Sequence, residues 1–151
     1  TDHPASSLGP SPLRSPSVFN FYRPGYVPPN TGIAAANLVA PEFQIIHESS
    51  VVGYANLMRS VVRNGIGDNS PADIQPDYSA ELAVADDADK LIDRVNLLLT
   101  YGTMRPDTMS AIREAVSSIT IDVNNPALGR RNRANLAALF AMSAPEFIVQ
   151  K

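Results

Sequence analysis

Apolar side chains recur at intervals of three and four residues in four stretches of the chain. The four sets are Val51, Tyr54, Ala55, Met58, Val61 and Val62; Leu91, Ile92, Val95, Leu98 and Leu99; Met109, Ile112, Val116 and Ile119; and Leu136, Leu139 and Phe140 with the alanines between them. A period of 3.6 residues places each set on one face of an amphipathic helix. The pattern therefore predicts four long helices that bury these faces.

Helix-breaking and capping residues mark the ends of the four helices. The first helix begins at Ser49 or Ser50 and ends at Asn64-Gly65. Acidic residues 86, 87 and 89 favour the start of the second helix, which ends at Tyr101-Gly102. The third begins at Pro106 and ends before Asn124, and the last covers about residues 131–142 before Ala144-Pro145.

Two shorter helices are predicted, over residues 33–39 and 78–85, together with a turn at 41–48 and a loop at 65–77. The segment 119–123 has β-branched residues, but a lone strand of five residues lacks a partner. The sequence thus predicts an all-α fold of about five helices in an orthogonal or bundle-like array.

The beginning of the chain has a different character. Seven of the 13 prolines lie among the first 30 residues, so we expect an irregular arm up to about residue 32. Aromatic residues cluster within the arm. We expect Ser17 to Pro29 to pack onto the helices, because exposure of these aromatic rings to water is unfavourable. Residues 1–14 lack such anchors and are predicted to be a linker or severed connection, whereas 15–151 form one helical domain.

Composition limits the function. The 151 residues are 44% hydrophobic and 18% charged, with a net charge of −3 and no strongly basic region, which argues against nucleic acid as a partner. No apolar run approaches the roughly 18 residues of a membrane span. The absence of cysteine excludes disulfides, thiolate metal sites and cysteine nucleophiles.

A first candidate site combines carboxylates with an imidazole at Glu42, His47 and Glu48, beside Gln44. Such groups can serve as general acid and base or as metal ligands. Because the chain has two histidines, a metal site here would be rich in carboxylates and suited to a divalent ion such as calcium, although nothing else in the sequence supports a cofactor. The alternative is the exposed start of a helix.

A second candidate is aromatic. Tyr22, Arg23 and Tyr26, with Gln44 nearby, could stack on sugar rings and bind their hydroxyl groups. The alternative is that the aromatic rings hold the arm against the helices.

The third candidate is a basic cluster, Arg130, Arg131 and Arg133, placed by the prediction at the start of the last helix. Positive charge there opposes the helix dipole unless an anion compensates it. The anion would be the acidic group at residues 86–89, a phosphate ligand or a partner domain.

Two short segments repeat. Ala40-Pro41-Glu42-Phe43 is echoed by Ala144-Pro145-Glu146-Phe147. We interpret both as helix ends at which the phenylalanine packs into the core.

Several segments together resemble a known family. Residues 15–26 (SPSVFNFYRPGY), 38–45 (LVAPEFQI), 91–99 (LIDRVNLLL), 104–106 (MRP) and 142–151 (MSAPEFIVQK) are similar, in this order, to the C-terminal third of the bacterial proteins grouped as domain of unknown function 1800. The resemblance implies a mostly helical part of a longer protein, one that is often exported to the periplasm or beyond, and it transfers no activity.

Two functions follow as hypotheses. The first is a helical module of a larger exported protein, which acts by binding the N-terminal region of its parent, another protein or an extracellular polysaccharide. The second is a hydrolytic or metal-assisted enzyme acting on an extracellular polymer, with Glu42, His47 and Glu48 as its reactive groups.

Overall fold

The computed structural model describes residues 23–45, 48–67 and 71–148. The helices in these ranges are α1 Gly32–Ala35, α2 Glu48–Asn64, α3 Ser79–Leu82, α4 Ala88–Thr100, α5 Pro106–Ser117, α6 Pro126–Ser143 and α7 Pro145–Ile148, with a 3₁₀ turn at Pro41–Ile45. The predicted all-α fold is confirmed, and the four long helices are α2, α4, α5 and α6. Residues 1–14 and most of the predicted aromatic arm, including Tyr22, lie outside the described ranges.

The chain forms two compact units, an N-terminal unit of residues 1–57 and a C-terminal unit of residues 58–151. In the N-terminal unit, Thr31 caps α1, since its Oγ1 accepts a hydrogen bond of 3.2 Å from the backbone N–H of Ala34. The helix ends at Ala35 rather than continuing to residue 39 as predicted, because Asn37 adopts a left-handed conformation with φ 53°.

Hydrogen bonds join the end of the arm to the 3₁₀ turn. The backbone N–H of Ala40 donates to the carbonyl of Tyr26 at 2.9 Å. The backbone N–H of Arg23 donates to Oε1 of Gln44 at 2.7 Å. The interpretation of Phe43 as a core residue is wrong, since Phe43 is 45% exposed on this short turn.

The core of the C-terminal unit lies where α4, α5 and α6 meet. Its buried residues are Ala85, Leu91, Ile92, Val95, Met104, Ile112, Val116, Ala137 and Ala141. The stripes predicted for α4 and α5 supply most of these side chains. Removing this apolar surface from water is the main stabilising contribution to such a bundle.

A buried polar residue shapes the turn between α4 and α5. Oδ1 of Asn96 accepts hydrogen bonds from Thr100 Oγ1 at 2.6 Å and from the backbone N–H of Met104 at 3.1 Å. The main-chain carbonyl of Asn96 also accepts from Gly102 at 3.1 Å. Asn96 therefore fixes the direction in which the chain leaves α4.

The last long helix differs from the prediction at its start and in its buried face. It begins at Pro126 rather than near residue 131, because proline suits the first turn of a helix, where its missing N–H costs nothing. The residues that it buries are small, namely Gly129, Ala134, Ala137, Ala138 and Ala141. Phe140, predicted to be buried, is 39% exposed, because the small-residue face allows α6 to approach its neighbours closely and turns Phe140 outward.

The preceding helix ends earlier than predicted. Helix α5 stops at Ser117, and residues 118–125 cross to α6 without regular structure. This connection lies directly against α6, where a Cβ atom added to Gly129 would stand 2.9 Å from Cα of Ile121.

Candidate functional site

An open groove in the C-terminal unit is lined by residues from the end of α2, from the connection after α5 and from α6. Its volume is about 170 Å³, and we call it the α2–α6 groove. The lining residues are Arg59, Val62, Arg63, Ile119, Asn132, Asn135, Leu136 and Leu139.

The last turns of α2 carry the cationic side of the groove. Arg59 and Arg63 are four residues apart and so share one face of the helix. The end of α2 is held in place by Tyr78, whose hydroxyl donates to the carbonyl of Val62 at 2.9 Å. Gly65 then ends the helix as predicted, with φ 85° and no room for a Cβ atom, which would clash with the carbonyl oxygen of Ile74.

Helix α6 supplies the opposite side. Asn132, Asn135, Leu136 and Leu139 are spaced by three and four residues, so their side chains lie on one stripe of the helix. This stripe is distinct from the alanine face that packs into the core. The two leucines, which the sequence suggested as core residues, are only partly buried and form the apolar floor of the groove with Val62 and Ile119.

The two arginines of the groove are exposed and have no carboxylate partner among the described residues. Within the described residues, the side chains of Arg59 and Arg63 make no hydrogen bond or ion pair, and the residues lining the groove include no carboxylate. The oxygen Oδ1 of Asn135 is enclosed, and no described residue donates a hydrogen bond to it. An enclosed polar atom without a partner typically costs about 1–3 kcal/mol. The groove therefore offers cations and an amide oxygen that no described residue of the chain pairs with.

The three arginines predicted as an anion site have different roles. Arg130 forms a two-pronged ion pair with Asp86, with distances of 2.8 Å for Nε–Oδ1 and 2.5 Å for Nη2–Oδ2. The hydrogen bonds from Arg130 lower the pKa of the Asp86 carboxyl. The acidic group at residues 86–89 thus supplies the carboxylate that pairs with Arg130. This group is one of the anions that the sequence analysis named for the arginine cluster.

The other two arginines differ from Arg130. Arg133 donates from Nε to the carbonyl of Ile119 at 3.0 Å and from Nη1 to the carbonyls of Ala85 and Asp86, both at 3.1 Å. Arg131 is exposed and has no hydrogen bond or ion pair within the described residues. Because α6 begins at Pro126, these arginines follow its first turn, and the predicted placement at the helix start is wrong.

A buried carboxylate lies elsewhere in the C-terminal unit. The side chain of Glu146 is 8% exposed, and its Oε1 accepts hydrogen bonds from the backbone N–H of Arg105, from Nε of Arg105 and from Thr108 Oγ1. Oε2 of Glu146 accepts no hydrogen bond from the residues that the structure describes. Glu146 joins α7 to the start of α5, which is a structural role.

The first two predicted sites fall partly outside the described residues. Glu42 is exposed on the 3₁₀ turn, whereas His47 lies outside the described ranges and the side chain of Glu48 is not described. The proposed acid and base set therefore stays a prediction. Among the residues that the structure describes, no three histidine or acidic side chains form a group that could hold a metal ion.

The aromatic candidate is described in part. Arg23 is exposed, Tyr26 and Gln44 are half-buried, and Tyr22 lies outside the described ranges. The backbone of Arg23 and the side chain of Gln44 come together in the hydrogen bond described above. The use of these residues for sugar binding stays a prediction.

Sequence reasoning missed Arg59 and Arg63. The available signal was their spacing of four residues on the polar side of a predicted amphipathic helix. Such a pair is typical of a solvated surface, and only the approach of α6 makes it part of a groove.

In the described part of the chain, no helix combines the length and apolar character needed to cross a bilayer.

Comparison with known proteins places the chain in a family. No curated protein and no solved structure is significantly similar to the chain. The model of one family, described as "Protein of unknown function (DUF1800)", matches residues 2–149. With almost its whole length matched, and with the helical architecture that the resemblance implied, the chain belongs to the DUF1800 family.

Proposed function

We propose that the C-terminal unit is a helical interaction module that binds an anionic partner in the α2–α6 groove. The observation that carries this proposal is the pair Arg59 and Arg63, which have no partner among the described residues and stand beside an aliphatic floor. Arginine guanidinium groups bind carboxylates and phosphates through two parallel hydrogen bonds. A partner with a negative group next to an apolar group would satisfy both parts of the surface.

The size of the groove favours a macromolecular partner. Sites that enclose a whole small molecule usually measure about 300–1,000 Å³, and this groove measures about 170 Å³. It has room for one or two side groups of a larger molecule that continues across the surface. This agrees with an interaction module better than with an enzyme that surrounds its substrate.

A catalytic function has less support among the described residues. The described residues that line the groove include no carboxylate, histidine, serine or other group suited to nucleophilic or acid–base catalysis. Of the acid and base set, only the side chain of Glu42 is described, and it is exposed to solvent. The interaction module is therefore the function that we put forward.

The test is a titration of the isotopically labelled chain with three anionic probes, followed by nuclear magnetic resonance. The probes are an acidic peptide, an oligogalacturonate and inorganic phosphate. We expect at least one of the two organic probes to shift the side-chain amide signals of Asn132 and Asn135. The double variant Arg59→Gln, Arg63→Gln should lose this response.

Arg131→Gln is the matched control, since it removes one exposed arginine that has no ion pair within the described residues and is not among the residues lining the groove. Its response to the probes should equal that of the unaltered chain. Signals that none of the probes shifts, or shifts that persist in the double variant, would contradict the proposal.

A further inference from the structure

We infer that the partner segment bound in the α2–α6 groove is an extended peptide in which an aspartate or glutamate lies next to an aliphatic residue. This inference rests on the proposed function and names the chemical class of the ligand. Three features of the groove lead to it: the spacing of its cations, the character of its floor and its amide groups.

The cations fit a carboxylate. Arg59 and Arg63 project from adjacent turns of α2, where side chains four residues apart have Cβ atoms about 5–6 Å from each other. At this spacing two guanidinium groups can hold one carboxylate between them, or one carboxylate each. Among the described residues that line the groove, Arg59 and Arg63 are the only cations, which is fewer than the repeated charges of a nucleic acid backbone would need.

The floor fits an aliphatic side chain. It consists of Val62, Ile119, Leu136 and Leu139, and none of the described lining residues is aromatic. Sugar rings are usually bound by stacking on aromatic side chains, whereas branched aliphatic groups pack well against one another. An acidic sugar would satisfy the arginines and leave this apolar floor uncovered, but a leucine, isoleucine or valine would cover it.

The amides fit a peptide backbone. Asn132 and Asn135 are three residues apart on the same stripe of α6. The amide group of an asparagine has one acceptor oxygen and two N–H donors, so it can pair with both the N–H and the carbonyl of one peptide unit. Of the two asparagines, Asn135 holds an enclosed Oδ1 that accepts no hydrogen bond within the described residues. An inorganic anion offers acceptors to the arginines and no apolar group for the floor.

The experiment compares four probes by nuclear magnetic resonance titration of the whole chain. The first is the capped peptide Gly-Ser-Leu-Glu-Leu-Glu-Ser-Gly. The second replaces both glutamates by glutamine, the third replaces both leucines by serine, and the fourth is an oligogalacturonate. We expect the first peptide to shift the side-chain amide signals of Asn132 and Asn135, and each altered peptide to bind about tenfold more weakly.

The outcomes separate this inference from the proposed function. Binding of the oligogalacturonate without binding of the first peptide, with loss of the response in the double arginine variant, would overturn the peptide inference and leave the groove as an interaction site. Equal binding of the first three peptides would overturn the inference as well, since neither charge nor apolar contact would then matter. Binding of the first peptide that survives Arg59→Gln, Arg63→Gln would overturn both proposals.

Discussion

The carboxylate of Glu146 in α7 accepts two hydrogen bonds from Arg105, one from the backbone N–H at 3.2 Å and one from Nε at 3.0 Å. Arg105 is the residue that precedes α5, and its own side chain does not cap the helix. Glu146 thus provides an acceptor and a negative charge at the start of a helix 41 residues earlier in the chain. Both residues belong to segments that carry the family resemblance, 104–106 and 142–151, and their contact joins these two segments.

Glu146→Gln should destabilise the protein by about 1–3 kcal/mol at neutral pH, because it weakens hydrogen bonds made to a charged and buried acceptor. Burial alone would raise the pKa of Glu146, but hydrogen bonds from the backbone, Arg105 and Thr108 outweigh it, and the pKa lies below its ordinary value of 4.5. A carboxyl group whose pKa is lower in the folded state than in the unfolded state stabilises the protein at pH values above its unfolded-state pKa. This stabilisation is lost as the pH falls through the folded-state pKa. Urea unfolding at pH 7 and pH 3 measures both effects.

The difference in unfolding free energy between the unaltered chain and Glu146→Gln should therefore shrink at the lower pH. Glu114→Gln is the control, since Glu114 is exposed on α5 and its side chain has no hydrogen bond or ion pair within the described residues. A Glu146 variant as stable as the Glu114 variant at neutral pH would show that the contact to Arg105 does not hold α7 in place.

Arg133→Gln should destabilise the C-terminal unit by about 1–3 kcal/mol, because it removes charged donors from three main-chain carbonyls. These carbonyls, of Ala85, Asp86 and Ile119, lie in two different connections between helices. Arg131→Gln is the matched control, and thermal unfolding should show little change for it. If the two variants have the same midpoint of thermal unfolding, the hydrogen bonds of Arg133 do not stabilise the fold. The sequence-based prediction that Arg133 binds an anion would then be favoured.

The helices that could be predicted from the sequence are those whose buried face is made of large side chains. Leu91, Ile92 and Val95 give α4 a clear period, and capping by Asp87 and the end at Tyr101 follow the predicted signals. Helix α6 buries alanines instead, and alanine differs little from polar residues in hydrophobicity. The periodic pattern of α6 is therefore weak, and the sequence places its start at the arginines and not at Pro126. The close approach that makes alanine suitable is a tertiary property.

The candidate site was less predictable than the fold. Arg59 lies in α2 and Leu136 in α6, so that their place on one groove depends on the tertiary arrangement of segments more than 70 residues apart. In the sequence, Arg59 and Arg63 are typical of a solvated helix surface, and Arg130 to Arg133 form the more conspicuous basic group. The structure pairs Arg130 and Arg133 within the chain, and the less conspicuous arginines keep their charges free of ion pairs in the described residues.

Tyr101→Gly should stabilise the protein by about 0.5–1 kcal/mol. Tyr101 ends α4 in the left-handed conformation with φ 55° and is 88% exposed, so its ring contributes little buried surface. A residue with a Cβ atom pays roughly 1–2 kcal/mol in this conformation, and the greater freedom of glycine in the unfolded chain offsets part of the gain. Tyr101→Ala keeps the Cβ atom and should leave the midpoint of urea unfolding almost unchanged. An equal gain from alanine and glycine would assign the effect to the ring and not to the backbone.

Gly129→Ala should destabilise the protein by about 1–2 kcal/mol, although alanine normally favours a helix by about 1 kcal/mol over glycine. The added Cβ atom would stand 2.9 Å from Cα of Ile121 and 3.1 Å from the carbonyl oxygen of Thr120, and both are backbone atoms that can move only with the whole connection. Thermal unfolding measures the loss, with Leu128→Ala as the control, since Leu128 precedes Gly129 and is 57% exposed.

The same substitution links the packing of α6 to the proposed binding site. Ile119 lines the α2–α6 groove and lies two residues before Ile121, so a connection pushed away from α6 should carry Ile119 with it. We therefore expect Gly129→Ala to weaken binding of the acidic aliphatic peptide while Leu128→Ala does not. If Gly129→Ala raised the unfolding temperature, residues 118–125 would not be packed tightly against α6. Ile119 would then not be held in a fixed position in the groove.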